Sequence, residues 1–300
     1  MMRVAFDPIY IYELPPGHRF PMEKYELLPE QLMRVGVLDP RDFFAPGAMD
    51  ESDILLTHSN DYWGRLKKQE LTPREIRDIG FPMTPRLVER GRYIAQGTLD
   101  CAGYAAQDGI SLNIAGGTHH AYAGRGEGFC VLNDIALATK VLLQRNPGLR
   151  ILVVDLDVHQ GNGTAHIFRH EPRVFTFSMH GARNYPLRKE KSDLDIGLPD
   201  GTTDGAYLTV LTAQWGKLLD SFRPDLVFYQ AGVDVLAEDQ LGRLNLTIAG
   251  CEERDLIVLS QCFRKGIPLV VTMGGGYPQR LSTLLDAHTN TFKVAKALIL

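Results

Sequence analysis

Asp157 and His159 stand two residues apart in "DLDVHQGNG" (155–163). In extended chain, residues i and i+2 point the same way, so both side chains can reach one ion. Asp234, which follows "QAGV", can complete the set. One imidazole and two carboxylates hold a divalent transition ion and leave positions open for water and a substrate. Upstream, "AGGTHHAYAGRGEGFC" (115–130) places His119 beside His120. Neighbours on a strand face opposite ways, but on a loop two imidazoles can converge on one pocket. Strand-end Asp and His that merely cap the next helix would account for one Asp-x-His. They do not account for the whole set.

The elements that must position these residues are legible as short apolar runs, each followed by Gly, Asp or His. They are "VAFD" (4–7), "LNIAGG" (112–117), "ILVVDLD" (151–157), "VFTFSMH" (174–180), "LVFYQAG" (226–232) and "PLVVTMGGG" (268–276). Several are apolar throughout, as strands covered on both faces are. Helical patterns lie between them at 86–107, 132–145, 204–221, 247–263 and 280–298. The alternation predicts one α/β domain over residues 1–300, an open and mostly parallel sheet with helices on both faces. Ligands of such sheets bind outside the carboxyl ends of the strands. Those ends deliver His119 and His120, then Asp155, Asp157 and His159, then Ser178 and His180, Asp234, and Tyr277. The stretch 10–85, rich in Pro and aromatics, reads as helices and loops packed over one end of the sheet.

Bulk composition narrows the function. Of 300 residues 44% are hydrophobic and 23% charged, an ordinary globular balance. A net charge of −4 gives no reason to expect nucleic-acid binding. Four cysteines without CxxC spacing argue against a thiolate zinc site or a disulfide framework, and fit reduced thiols in the cytoplasm. No signal peptide and no membrane span is read in the chain.

"GGTHHA", "GEGFCVLND", "DLDVHQGNGT", "FSMH", "YQAGVDVLAEDQLGRLNLT" and "GGGY", in this order and spacing, resemble the histone deacetylase superfamily. The "GNG" variant, "PEQLMRV" and the short length resemble its class IV branch and bacterial relatives. That family removes acyl groups from lysine side chains or similar amines with zinc. The resemblance implies that Asp157, His159 and Asp234 are the zinc ligands, with iron as the other metal such ligands suit. It implies that His119 and His120 are the catalytic imidazoles, His120 nearer the acid–base role. Asp155 would then buttress His119, Asn162 would face His120, and Tyr277 would donate to the reacting carbonyl. Gly128 and Phe129 would line the acyl-lysine channel. An inner potassium site would use Asp155 and Ser178 with carbonyls of Asp157, His159 and Met179. Many members carry Asp where Asn162 stands, and an amide orients a ring without supplying a counter-charge.

Zinc lowers the pKa of bound water and polarises a carbonyl, so the expected chemistry is amide hydrolysis on an acyl-lysine peptide or other acylated amine. Three rivals are weighed. An acetylpolyamine amidohydrolase would want an acidic channel mouth, for which Glu190, Asp193 and Asp195 are candidates. A non-catalytic acyl-lysine binder would not need the full set of reactive groups. A two-metal ureohydrolase of the same sheet type would want carboxylates where Gly161 and Leu236 stand. His58 could approach the rim, although capping by Ser59 or Asn60 explains its segment better, and His180 reads as a satisfied buried histidine.

Overall fold

The computed structural model describes residues 2–299, so Met1 and Leu300 of the expected 1–300 domain lie outside the described residues. In chain order the elements are β1 (Arg3–Ala5), α1 (Lys24–Arg34), β2 (Phe43–Phe44), α2 (Glu51–Ile54), α3 (Asn60–Lys68), α4 (Pro73–Ile79), α5 (Pro85–Asp108) and β3 (Ile110–Asn113). Then follow α6 (Asp134–Arg145), β4 (Ile151–Asp155), α7 (Asn162–Phe168), β5 (Val174–Gly181) and β6 (Leu194–Leu198). The last are α8 (Asp204–Phe222), β7 (Leu226–Gln230), α9 (Ile248–Arg264), β8 (Leu269–Thr272) and α10 (Leu281–Ile299).

All eight strands run parallel in one sheet of order β2-β1-β3-β8-β7-β4-β5-β6. β3, β4, β7 and β8 are buried along their whole length, as apolar strands covered on both faces must be. α5 packs along α6, while α10 packs against α1 and α9, and β3 touches both α5 and α10. Local chemistry sets the helix ends. Thr72 and Glu75 form a reciprocal cap at the start of α4, with Pro73 in its first turn and Gly80 at its end. Thr84, Asn133 and Thr247 cap α5, α6 and α9 through their side chains.

The structure departs from the expected elements in three places. The stretch 10–85 holds α1–α4 but also β2, which extends the sheet beyond β1 in register Val4↔Phe43. β2 has two residues, too few for any periodicity. β6 alternates half-buried and exposed positions and forms the other edge. α7 is a seven-residue helix directly after the Asp-x-His segment, where its glycines argue against a helix. All four cysteines are free and buried. Among the described residues no helix is long and apolar enough to cross a membrane.

Candidate active site

The carboxyl ends of β3, β4, β7 and β8 share one rim of the sheet, and the reactive side chains stand just beyond it. Asp157, His159 and Asp234 each bring a ligand atom within 4.8 Å of the others, and all three are buried. His159 Nδ1 lies 3.1 Å from Asp157 and 3.0 Å from Asp234. Burial opposes charge on this ring, yet the two carboxylates outweigh it and lift His159 to about 10. Two buried carboxylates with one imidazole between them are a site that calls for a cation. The donor set therefore suits a divalent metal, and it is the one such cluster among the described residues.

Backbone and buried side chains fix these three residues. Gly275 N donates to Asp157 at 2.8 Å, and Val158 N donates to Asp234 at 2.8 Å. A Cβ at Gly275 would collide with the Asp234 carboxylate and reach the Asp157 one, so only glycine admits this approach. Arg254 of α9, fully buried, donates to the carbonyls of Leu156 and Gly232, each close before an aspartate of the cluster. Asp255 pairs with Arg254 at 2.8 Å and also takes Tyr229 and Thr291. Lys24 of α1 is buried as well and donates to Gly274 O at 2.8 Å, in the loop that carries Tyr277. Sequence reading missed Arg254 and Lys24. A charge on an otherwise apolar helix face is their only trace.

His119 and His120 converge, with their Nε2 atoms 3.1 Å apart. The loop before them is held by Asp134, which accepts from the amides of Gly117 and Thr118. Their second nitrogens have unequal partners. His119 Nδ1 meets Asp155 at 2.6 Å, and His120 Nδ1 meets Asn162 Oδ1 at 2.6 Å. Burial works against a charged His119, but Asp155 and Asp157 prevail and hold it up to about 9. Burial, then the charges of His119 and His159, push His120 well below its ordinary value. Adjacent imidazoles are thus split into one cation and one neutral base.

The orientation of Asn162 is forced by residues that the sequence did not single out. Its amide nitrogen donates to Glu127 at 2.6 Å and to the Tyr122 hydroxyl at 3.1 Å. Its oxygen must then face His120, which puts the proton of the neutral ring on Nδ1 and leaves Nε2 as the acceptor. Glu127 also receives the Tyr185 hydroxyl at 2.7 Å. Glu127 is the second residue of "GEGFC", present in a quoted motif but without a partner until the fold supplied one.

Above these groups lies a cavity of about 680 Å³ whose lining includes His120, His159, Gly128, Phe129, Tyr185 and Tyr277. Phe129 has φ 66°, a conformation costly for a non-glycine residue, and its ring packs on Phe20, Phe81 and Tyr277. Gly128 at φ 57° lies against His120, where a Cβ would stand 2.6 Å from the ring. Tyr277 is anchored by its amide on Asp239 at 2.5 Å, and burial first, then Asp157 and Asp234, keeps its hydroxyl protonated. Below, a recess of about 40 Å³ continues between His119, His120, Phe129 and Gly275.

Other candidate residues fall outside this cavity. Glu190, Asp193 and Asp195 do not form an acidic mouth: they hold Tyr122, Thr176 and Gln160 respectively. His58 is buried and accepts from Asn133 N at 3.1 Å, while Ser59 caps α3. Asp155 and Ser178 are register partners on β4 and β5, and Ser178 meets His180 at 2.9 Å. Met179 is buried beside them.

The fold and site together define a parallel α/β architecture with a buried cluster suited to a metal, and comparison with known proteins gives the family. Residues 18–292 match the histone deacetylase domain. An uncharacterized protein of Picosynechococcus sp. is 44% identical over 293 residues, covering 98% of each chain. Histone deacetylase 2 of Arabidopsis thaliana is 32% identical over 269 residues, covering 87% of this chain and 70% of that one. A solved HDAC homologue complexed with SAHA, 24% identical, superimposes with a TM-score of 0.82 over 99% of this chain and 88% of its own. The chain belongs to the histone deacetylase family and carries its deacetylase domain.

Proposed function

We propose that this chain is a zinc-dependent deacylase that hydrolyses the amide between an acyl group, acetyl or longer, and a lysine side-chain amine. The observation that carries the reading is the split histidine pair beside the buried Asp157–His159–Asp234 cluster. Asp157, His159 and Asp234 would hold zinc or iron, which would supply Lewis acidity there. His120 takes a proton from the attacking water at Nε2 and returns it to the leaving amine. His119, kept protonated by Asp155, adds positive charge beside the reacting carbonyl. Tyr277 donates to the carbonyl oxygen as its charge develops. Gly128 and Phe129 flank the aliphatic stem of the lysine. A potassium ion held by Asp155, Ser178 and the carbonyls of Asp157, His159 and Met179 would stiffen the ends of β4 and β5.

The same reading treats the chain as one catalytic domain acting in the cytoplasm, on the class IV branch of the family.

The test is turnover against acetyl- to long-chain acyl-lysine amides and acetylpolyamines, with metal content measured alongside. About one divalent ion per chain and turnover of acyl-lysine amides are expected, and Asp157→Ala or His159→Ala loses both metal and turnover. Full metal content and normal rates in either variant would sink the reading.

A further inference from the structure

Four arginines from four separate stretches line the opening of the main cavity: Arg19 before α1, Arg77 in α4, Arg183 after β5 and Arg243 between β7 and α9. All four are exposed. The same lining holds two carboxylates, Asp78 and Glu127, so its arginines outnumber them. Asp78 lies 3.9 Å from Arg74, and Glu127 receives Asn162 and Tyr185. Arg183 and Arg243 share one oxygen of Asp200, at 2.6 and 3.4 Å. Arg19 and Arg77 have no ion-pair partner among the described residues.

The rim is therefore cationic on a chain whose net charge is −4. Composition does not produce that excess; the fold gathers it at one opening. A guanidinium presents forked donors that match a carboxylate, and an unpaired one at a cavity mouth is a standing invitation to an anion. Leu187, 93% exposed, and Tyr185 add apolar contact at the same opening. The charge of the whole chain repels a long polyanion such as a nucleic acid, which leaves a short anionic segment as the fitting occupant.

We propose that the arginine rim is a subsite for carboxylates flanking the acylated amine, so that the substrate is an acyl-lysine within an acidic segment of polypeptide. The inference rests on the deacylase reading above but concerns what the mouth selects. A lysine- and arginine-rich tail meets like charge there and is disfavoured.

The experiment measures binding of labelled acetyl-lysine peptides to the metal-loaded full chain by fluorescence anisotropy. The flanks are Asp/Glu, Asn/Gln or Lys/Arg, and an Nα-blocked acetyl-lysine serves as a small anionic competitor. Exposed ion pairs are individually weak, so several together give the acidic peptide about a tenfold lower Kd than the neutral one. The advantage shrinks in about 1 M salt, where the Debye length is near 3 Å. Arg19→Glu with Arg77→Glu, at exposed and unpaired positions, reverses the order of acidic and basic peptides. Equal Kd values, an order unchanged in the double variant, or a blocked amino acid that binds as tightly as the acidic peptide would each overturn the proposal. Turnover of an uncharged acetyl-lysine amide is measured on the same preparation. Charge preference without turnover removes the deacylase reading and leaves the rim; turnover without preference does the reverse.

Discussion

An amide at position 162 can do what a carboxylate cannot: accept from His120 with one end and donate to Glu127 with the other. Asn162→Asp sets a second carboxylate against Glu127, and two such groups at contact hold one proton between them. Adding Glu127→Gln restores a donor and frees the new carboxylate to face His120. An adjacent opposite charge moves a titrating group by about 1–3 units, upward for a histidine. The acidic limb of the pH–rate curve should therefore rise in the double variant, with less activity near neutral pH and unchanged metal content. The single variant should shift less. Coincident profiles in all three proteins would show that Asn162 does not govern His120. Tyr277→Phe is a simpler case. It should keep metal and fold and lose roughly 10²–10³ in turnover, the usual cost of one oxyanion donor. A rate equal to the parent's would take Tyr277 out of the reaction.

At the scale of elements, Gly97 sets two rules against each other. It lies inside α5, where alanine is worth about 1 kcal/mol more than glycine. A Cβ there would collide with the Tyr10 hydroxyl and stand 3.1 Å from Asn113 Nδ2 and 3.2 Å from Ala5 Cβ. Overpacking a tight core costs about 1–3 kcal/mol, so packing wins and Gly97→Ala should lower the melting temperature. A higher melting temperature would mean that the neighbours yield. Sequence patterning had shown the long elements well, because α5, α8, α9 and α10 run many turns and β4 and β7 are unbroken apolar runs. It failed where signal is short: two residues of β2, five of β6, and a glycine-flanked α7. The site divides the same way. Asp157 and His159 announce themselves by spacing, whereas Glu127, Arg254 and the four rim arginines act through partners distant in the chain. No local window contains that information.

For the whole molecule, buried histidines set the acid limit. Burial takes His58 from its ordinary 6.5 down to about 4, and His180 likewise to about 4. The folded value lies below the unfolded one, so the stabilisation is complete above about pH 6.5 and is lost as the pH falls toward 4. For His58 this amounts to roughly 3 kcal/mol. His58→Gln keeps an acceptor for Asn133 N and removes the titration. Unfolding free energy of the wild type should fall more steeply than that of the variant across this window in denaturant melts. Parallel curves would exonerate His58.

The place of β8 in the strand order has a consequence in time. β8 sits between β3 and β7, yet it is the last described strand in the chain. Without it, β2-β1-β3 and β7-β4-β5-β6 would be two separate half-sheets with unpaired edges facing one gap. The histidine pair follows β3 on one side of that gap, and the Asp157–His159–Asp234 cluster follows β4 and β7 on the other. Insertion of β8 closes the seam, brings the two sets together and delivers Tyr277 in the same act. A nascent chain should thus be chemically silent until β8 has been made, and a message truncated before residue 269 should yield two sticky halves rather than a weakened enzyme.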